Sequence, residues 1–342
     1  MSQKVKDEVI LKIVDTFDEC AMIYFDATTN ELYENTSVSN YDVERPHSNF
    51  YECLIKVVNY FLDGEELDLY EEEIAKQIEN KITELKNFLE ESSVTNEEVR
   101  RAFLLLDIKG FKNVNFPLDF ITPDAISLIL TRLVNFCCSE KDKINLLDFN
   151  FGVGNLAFTI VTNLSKDIHL VGIDNHPLMA NVSCMKANMM EANLDMYNED
   201  ALSMLPTDVD IVVSDIAGYD YENEYYTSPL YDEGVRYFPY LAIEHYLQIK
   251  NKVKYLYLID DDFFIQPGSN KFKEMLRENG SVVSLIALPN SFFLEGSTHK
   301  SILVLSNDLS KNHAQTEIFQ LPSLKEKESF IKVMNKIEEI LK

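Results

Sequence analysis

The chain predicts an α/β architecture, an open and largely parallel sheet wrapped by helices, and three observations carry that expectation. In INLLDFNFGVGN, residues 144–155, an apolar run stops at Asp148, a loop with two glycines follows, and a second apolar segment fills 156–164. That is the order strand, glycine loop, helix. Residues 168–173 form another short apolar run that ends on an acid, Asp174. Beyond it, apolar runs at 209–213, 253–259, 282–288 and 300–305 enclose helix-length segments at 241–249 and 271–278. Such alternation is the signature of strands joined by crossover helices.

The part in front of this pattern reads differently. Residues 1–100 carry 24 Asp and Glu against 9 Lys and Arg. Apolar residues recur there at helical spacing, at Val9, Ile10, Ile13, Val14 and Phe17, again at Leu54, Ile55, Val58, Tyr60 and Phe61, and again at Ile74, Ile78, Ile82, Leu85 and Leu89. Ser93 or Thr95, with Glu97 and Glu98, supplies a start for a helix over 99–106. Residues 26–51 are polar and read as a loop with a short hairpin, and the charge run 65–73 as a solvated helix face. The expected organisation is an acidic helical domain over 1–112 and an α/β domain over 113–342, which closes on an amphipathic helix at 325–342. At the head of the second domain, Thr122 reads as an N-cap, Pro123 as a first-turn residue and Asp124 as an acid at the positive helix end.

Composition narrows the functional classes. A length of 342 residues suits two domains, and 46% hydrophobic residues supply a sizeable core. The sequence has neither a run of eighteen apolar residues nor a signal-peptide pattern, so it reads as cytoplasmic and without membrane contact. Five cysteines without CxxC spacing read as buried reduced thiols, not a zinc site or a disulfide framework. The net charge of -26 argues against a free-standing duplex DNA binder, because phosphate neutralisation by Lys and Arg supplies much of that affinity.

The glycine loop is where the chemistry concentrates. Gly152 and Gly154 let the backbone pass close to a ligand, since no Cβ intervenes and positive φ costs little. About twenty residues on, Asp174 ends a strand where a carboxylate accepts hydrogen bonds from ribose hydroxyls. GVGNLA, residues 152–157, also fits the dinucleotide pattern G-x-G-x-x-G/A. Asp148, four residues before the first glycine, favours a different cofactor: it would repel a pyrophosphate and attract the ammonium of S-adenosylmethionine (SAM). Asp200, after a further short strand and before Ala201, is placed to reach an adenine amino group. Asp215 ends the strand at 209–213 and its neighbour 214, which puts four acids at strand ends where open parallel sheets bind ligands. The aromatic and acidic stretch 221–240 reads as a lid, a substrate loop or plain surface loop.

These residues resemble the N6-adenine-specific DNA methyltransferases of the class I SAM-dependent type, close to the modification subunits of type I restriction systems. The resemblance spans roughly residues 113–308. FITPDAISLIL is similar to that family's Thr-Pro helix start, LLDFNFGVGNL to its DPxxGxGNL loop, VGIDNHP to its ribose-binding segment, EDAL to its adenine-contacting segment, and GSVVSLIALPNSFF with GSTHKSILVLS to its closing strands. It implies a Rossmann-like seven-stranded SAM methyltransferase sheet. It also implies cofactor contacts from Thr122 to the methionine part, and from Asp148, Asn150, Gly152, Gly154, Asn155, Asp174, Asn175, Asp200 and Ala201. Where the family has Asn or Asp followed by Pro-Pro-Tyr, this chain has Asp215-Ile216-Ala217-Gly218-Tyr219, one residue longer and without prolines. In the family the first side chain accepts a hydrogen bond from the target amino group and the aromatic stacks on a flipped base, roles that fall here to Asp215 and Tyr219. Phe149 stands in place of the proline after Asp148.

The expectation is therefore a SAM-dependent methyltransferase acting on an exocyclic amino group in nucleic acid, N6 of adenine in DNA or in RNA. The alternative is a SAM-binding or partner-binding protein that has lost methyl transfer, with a nicotinamide-dependent enzyme as a third reading. Nucleic acid would be bound weakly, with Arg236, Lys252, Lys254 and Lys300 as scattered phosphate contacts. A basic protein is the partner expected for the acidic helical domain.

Overall fold

The structure is a computed structural model and describes residues 5–35, 49–293, 296–309 and 316–341. Its helices are α1 (Asp7–Asn35), α2 (Phe50–Asp63), α3 (Glu72–Glu91), α4 (Asn96–Asn113), α5 (Asp124–Cys137), α6 (Asn155–Asn163), α7 (Pro177–Met189), α8 (Pro229–Asp232), α9 (Phe238–Tyr246), α10 (Ser269–Asn279) and α11 (Lys327–Ile340). Its strands are β1 (Lys143–Asp148), β2 (Asp167–Ile173), β3 (Asn193–Tyr197), β4 (Ile211–Asp215), β5 (Lys254–Asp260), β6 (Ser281–Ala287), β7 (Lys300–Ser306) and β8 (Glu317–Gln320). Two compact units divide the chain: Met1–Leu118 with Asn181–Ala192, and Asp119–Ala180 with Asn193–Lys342.

The first unit is helical, and its helix ends are written into the sequence. Asn49 accepts the Glu52 N–H at 3.1 Å while Glu52 accepts the Asn49 N–H at 3.2 Å, and Thr95 and Glu98 repeat this reciprocal cap at the start of α4. Gly64 ends α2 at φ 72° and donates to the Tyr60 carbonyl. Phe17, Tyr51, Leu54, Ile82 and Phe103 fill the core. Tyr51 lies flat enough against Gly110 that a Cβ there would overlap its ring. Its hydroxyl donates to the Asp107 carbonyl at 3.1 Å and to Oδ1 at 3.3 Å. The Lys186 ammonium donates to Asp107 Oδ2 at 2.5 Å, with both side chains buried.

Three expectations change in this unit. Of the loop with a short hairpin expected over 26–51, residues 26–35 continue α1, residues 50 and 51 open α2, and 36–48 lie outside the described residues. The run 65–71 is not helical: Lys56 pairs with Glu65 at 2.7 Å and Leu67 turns inward. The segment 181–192, assigned from sequence to the second domain, groups with the helical unit, because Lys186 finds its partner on α4.

The second unit holds one sheet of eight strands in the order β3-β2-β1-β4-β5-β7-β6-β8. Strands β3, β2, β1, β4 and β5 run parallel, β7 is antiparallel to both β5 and β6, and β8 adds parallel to β6. The eighth strand corrects the seven expected. Its residues EIFQ are mostly exposed and form no apolar run, so only the pairing to β6 reveals it. Strand order reverses between β1 and β4, and the carboxyl ends of strands at such a switch point are where open parallel sheets bind ligands.

Leu118–Cys137 has the length and hydropathy of a membrane span. The stretch is broken at 121–123, however, and in α5 Ile126, Leu130 and Leu133 are buried. Helix α5 begins at Asp124 with Pro123 as its N-cap, one residue later than expected, which releases the Thr122 side chain for another bond. Cys184 is exposed, not buried as expected.

Candidate active site

Apolar residues pin β1 and β4 side by side and thereby bring two polar ends together. Ser214 on β4 donates to Asp148 Oδ1 at 2.7 Å, and the Asn150 N–H donates to the same oxygen at 3.1 Å. Burial pushes the Asp148 carboxyl up to about 7, against the pull of those two bonds. The loop then crosses the end of β2, with the Phe151 N–H donating to the Ile173 carbonyl at 3.1 Å.

Both glycines adopt positive φ, 55° at Gly152 and 74° at Gly154, for different reasons. A Cβ on Gly154 would lie 2.6 Å from the Phe151 ring and 2.5 Å from the Phe158 ring, so Gly154 permits close packing at the start of α6. A Cβ on Gly152 would meet nothing within 4 Å, which leaves that stretch of backbone open to a ligand. Asp174 accepts the Gly152 N–H on Oδ2 and the His176 N–H on Oδ1, each at 2.8 Å, and burial raises its pKa. Asn175 beside it is exposed. Asn150 Oδ1 is buried without a hydrogen-bond partner among the described residues.

Asp200 follows β3 and accepts the Leu202 N–H at 2.9 Å on Oδ1 and the Tyr221 hydroxyl at 2.6 Å on Oδ2; Ala201 is half-buried. The stretch 221–240 is an ordered wall. Tyr221, Tyr226 and Tyr231 meet edge to face, the Arg236 guanidinium sits 3.7 Å over the Tyr231 ring, and Glu244 accepts from Ser228 Oγ at 2.5 Å and the Leu230 N–H at 3.0 Å. Phe149 packs inward, stacked on Tyr246 at 4.2 Å, and is part of the core.

At the end of β4, Asp215 receives two side chains. Thr122 Oγ1 donates to Oδ2 at 2.8 Å and the Lys300 ammonium donates to Oδ1 at 2.5 Å. Burial works to lower the Lys300 pKa, but the charge and hydrogen bond of Asp215, with Asp260 and Asp119 nearby, outweigh it and the net direction is up. The Thr122 carbonyl accepts from Asn155 Nδ2 at 2.7 Å, which also reaches Asp124 Oδ1 at 3.2 Å, so Asn155 ties the starts of α5 and α6 together. Tyr219 stacks on Phe238 at 4.6 Å and 13°, and is 43% exposed.

Lys300 is the residue that sequence reasoning misplaced, as a scattered surface charge. It is largely buried, and its position follows from the β5–β7 register that sets it opposite Asp260, a pairing that no local pattern records. The other three basic residues are engaged as well. Arg236 donates to the Tyr231 and Val235 carbonyls, Lys252 pairs with Asp308 at 3.0 Å, and Lys254 donates to the Leu341 carbonyl.

A Listeria monocytogenes structure described as a candidate class I SAM-dependent methyltransferase superposes with a TM-score of 0.81 over 98% of this chain and 100% of its own, at 23% identity. The chain has the class I SAM-dependent methyltransferase fold. Modification or methyltransferase subunits of type I restriction systems share it. Those from Vibrio vulnificus YJ016 and Streptococcus thermophilus give TM-scores of 0.59 and 0.57 at 12% and 14% identity, covering 96% and 97% of this chain and 83% and 87% of theirs. In sequence, the chain is 29% identical over 300 residues to the uncharacterized protein YtxK of Bacillus subtilis (strain 168), covering 83% of this chain and 88% of that protein. No family model matches the chain.

Proposed function

We propose that this chain binds SAM in the crevice at the ends of β1 and β4 and transfers its methyl group to an exocyclic amino group, N6 of adenine in DNA or RNA. The observation that carries the reading is the set of strand-end acids, Asp148, Asp174 and Asp200, arranged around a glycine loop that is open at Gly152. The donor set suits SAM. Asp148 complements an ammonium, Asp174 retains lone pairs for ribose hydroxyls, and Asp200, with Asn175 and Ala201 nearby, suits the adenine. The unpartnered Asn150 Oδ1 offers a further acceptor.

SAM supplies an activated methyl on a sulfonium, so the protein's task is positioning more than strong base catalysis. Asp215 accepts a hydrogen bond from the target amino group and concentrates electron density on its nitrogen, while Tyr219, braced by Phe238, offers a ring for the base. The choice of adenine N6 draws support from the type I subunits among the structural relatives and from the motif resemblance over 113–308. Binding to nucleic acid is expected to be weak and salt-sensitive, given the net charge of -26.

One observation favours a second reading, a SAM-binding protein without methyl transfer. Both Asp215 oxygens already hold a donor, and the acidic helical unit would then serve to dock a basic protein. Calorimetric titration with SAM, together with labelled-methyl incorporation into duplex DNA, single-stranded DNA and RNA, separates the two. Binding with incorporation supports transfer, binding with none supports the second reading, and absence of binding removes both.

A further inference from the structure

The loop after β4 lacks the proline pair that stiffens its counterparts in the resembled family, yet it is held at Asp215, Ile216, Gly218 and Tyr219. Thr122 and Lys300 each bond one Asp215 oxygen, at 2.8 and 2.5 Å. The Ile216 N–H donates to the Leu258 carbonyl at 3.1 Å. Gly218 passes so close to β5 that a Cβ would lie 2.7 Å from Asp260 Oδ2 and 3.0 Å from the Tyr237 hydroxyl. The Tyr219 carbonyl accepts the Phe238 N–H at 2.8 Å.

Two of these restraints are backbone bonds, and Gly218 is a matter of packing. Among the described residues, Thr122 and Lys300 are the side chains that bond the carboxylate itself. Lys300 is suited to that work. It is largely buried, it stands on β7 directly opposite Asp260 on β5, and β5 pairs with β4 at the level of Asp215. A charged group so placed cannot swing into solvent without leaving Asp215 and Asp260 facing each other unscreened. Each carboxylate oxygen has two lone pairs, so one donor apiece still leaves Asp215 free to accept another.

We propose that Lys300 is a positioning residue for methyl transfer: with Thr122 it holds the Asp215 carboxylate in one orientation, the task that rigid prolines perform in the related loops. The inference rests on the proposed transfer reaction, and it makes a statement opposite to the blocking role that the same contact has in the second reading. Lys300 would act through Asp215.

The test compares wild type, Lys300→Met and Lys300→Ala in labelled-methyl transfer from SAM to single-stranded DNA, duplex DNA and RNA, with SAM affinity measured on each protein. Lys300→Met keeps the packing of the stem, and its kcat should fall at least tenfold with KM and SAM affinity within about twofold of wild type. For Lys300→Ala, millimolar propylammonium should restore part of the lost incorporation, a response that a merely destabilised fold would not give. Unchanged or faster transfer by Lys300→Met overturns the proposal and identifies Lys300 as a block. Should wild type bind SAM and methylate no nucleic acid, the transfer reading fails and a direct readout judges Lys300. Crystal structures should then show the Asp215 carboxylate in one orientation in wild type and rotated or split between orientations in Lys300→Met, and one unchanged orientation in both would overturn the proposal.

Discussion

Ser214 and Asp148 face each other across β1 and β4, hydroxyl to carboxylate at 2.7 Å, both out of reach of solvent. The bond partly offsets the cost of burying an acid, but the Asp148 carboxyl still rises to about 7. A carboxyl whose folded pKa lies above its unfolded value, roughly 4, costs folding nothing at low pH. The cost grows as the unfolded chain gives up its proton first, and it is complete above about 7. Wild-type apoprotein should therefore lose thermal stability relative to Asp148→Asn as pH rises from about 5 to 8, by several degrees at ~2–4 °C per kcal/mol for a folding unit the size of the one that carries Asp148. Paired melts across that range check it, and a flat difference would show that Asp148 does not titrate in the fold. SAM affinity should move the other way and strengthen as Asp148 ionises.

Asp174 holds the glycine loop through the Gly152 N–H and is assigned to the ribose. At a hundredfold excess over its dissociation constant, SAM should stabilise wild type by ~2.7 kcal/mol through mass action. Asp174→Ala should remove most of that shift in a thermal melt. A shift that survives the substitution would take Asp174 out of the ribose role.

Asp215 and Tyr219 belong to the acceptor side. Asp215→Ala and Tyr219→Ala should each lower methyl transfer, the first on the order of a hundredfold, while SAM affinity by calorimetry stays near that of wild type. Weakened SAM binding in Asp215→Ala would instead assign Asp215 to the cofactor pocket.

In the helical unit, Lys186→Met would leave Asp107 buried without its counter-charge, with Tyr51 as the hydrogen-bond partner of its carboxylate among the described residues. Breaking one half of a buried pair costs ~3–5 kcal/mol, and chemical denaturation should show a loss of that order. Asp107→Leu combined with Lys186→Met should recover much of it, because the uncompensated charge is then gone. Gly110→Ala should also destabilise, by ~1–3 kcal/mol through overpacking against Tyr51.

Much of the sheet was legible because β1, β2, β4 and β5 are short apolar runs that stop at or just before an acid, and the glycine loop announced itself through Gly152 and Gly154. Local chemistry also placed the caps at Thr95 and Glu98. What escaped were long-range pairings. Strand β8 has no apolar signature of its own, Lys300 looks like any surface lysine until β7 is laid against β5, and Lys186 looks like a solvated helix residue until Asp107 meets it. Thr122 reads as an N-cap in sequence, and its hydroxyl turns to Asp215 because Pro123 takes the capping position. The positions of Asp148 and Asp174 were legible because each closes an apolar run, whereas the hydroxyl that Tyr221 gives to Asp200 comes from a stretch with no period to read.

The discontinuous make-up of the helical unit sets the order in which a nascent chain can fold. Its buried Asp107 waits for Lys186, and residues 119–180 of the other unit must be synthesised in between. Emergence of residues 1–118 from the ribosome should therefore give a helical ensemble in which Asp107 has the Tyr51 hydroxyl but lacks its counter-charge, and closure of the ion pair should follow release of Lys186. A polypeptide ending at 118 should remain protease-sensitive, while addition of a peptide spanning 177–192 in trans should protect it.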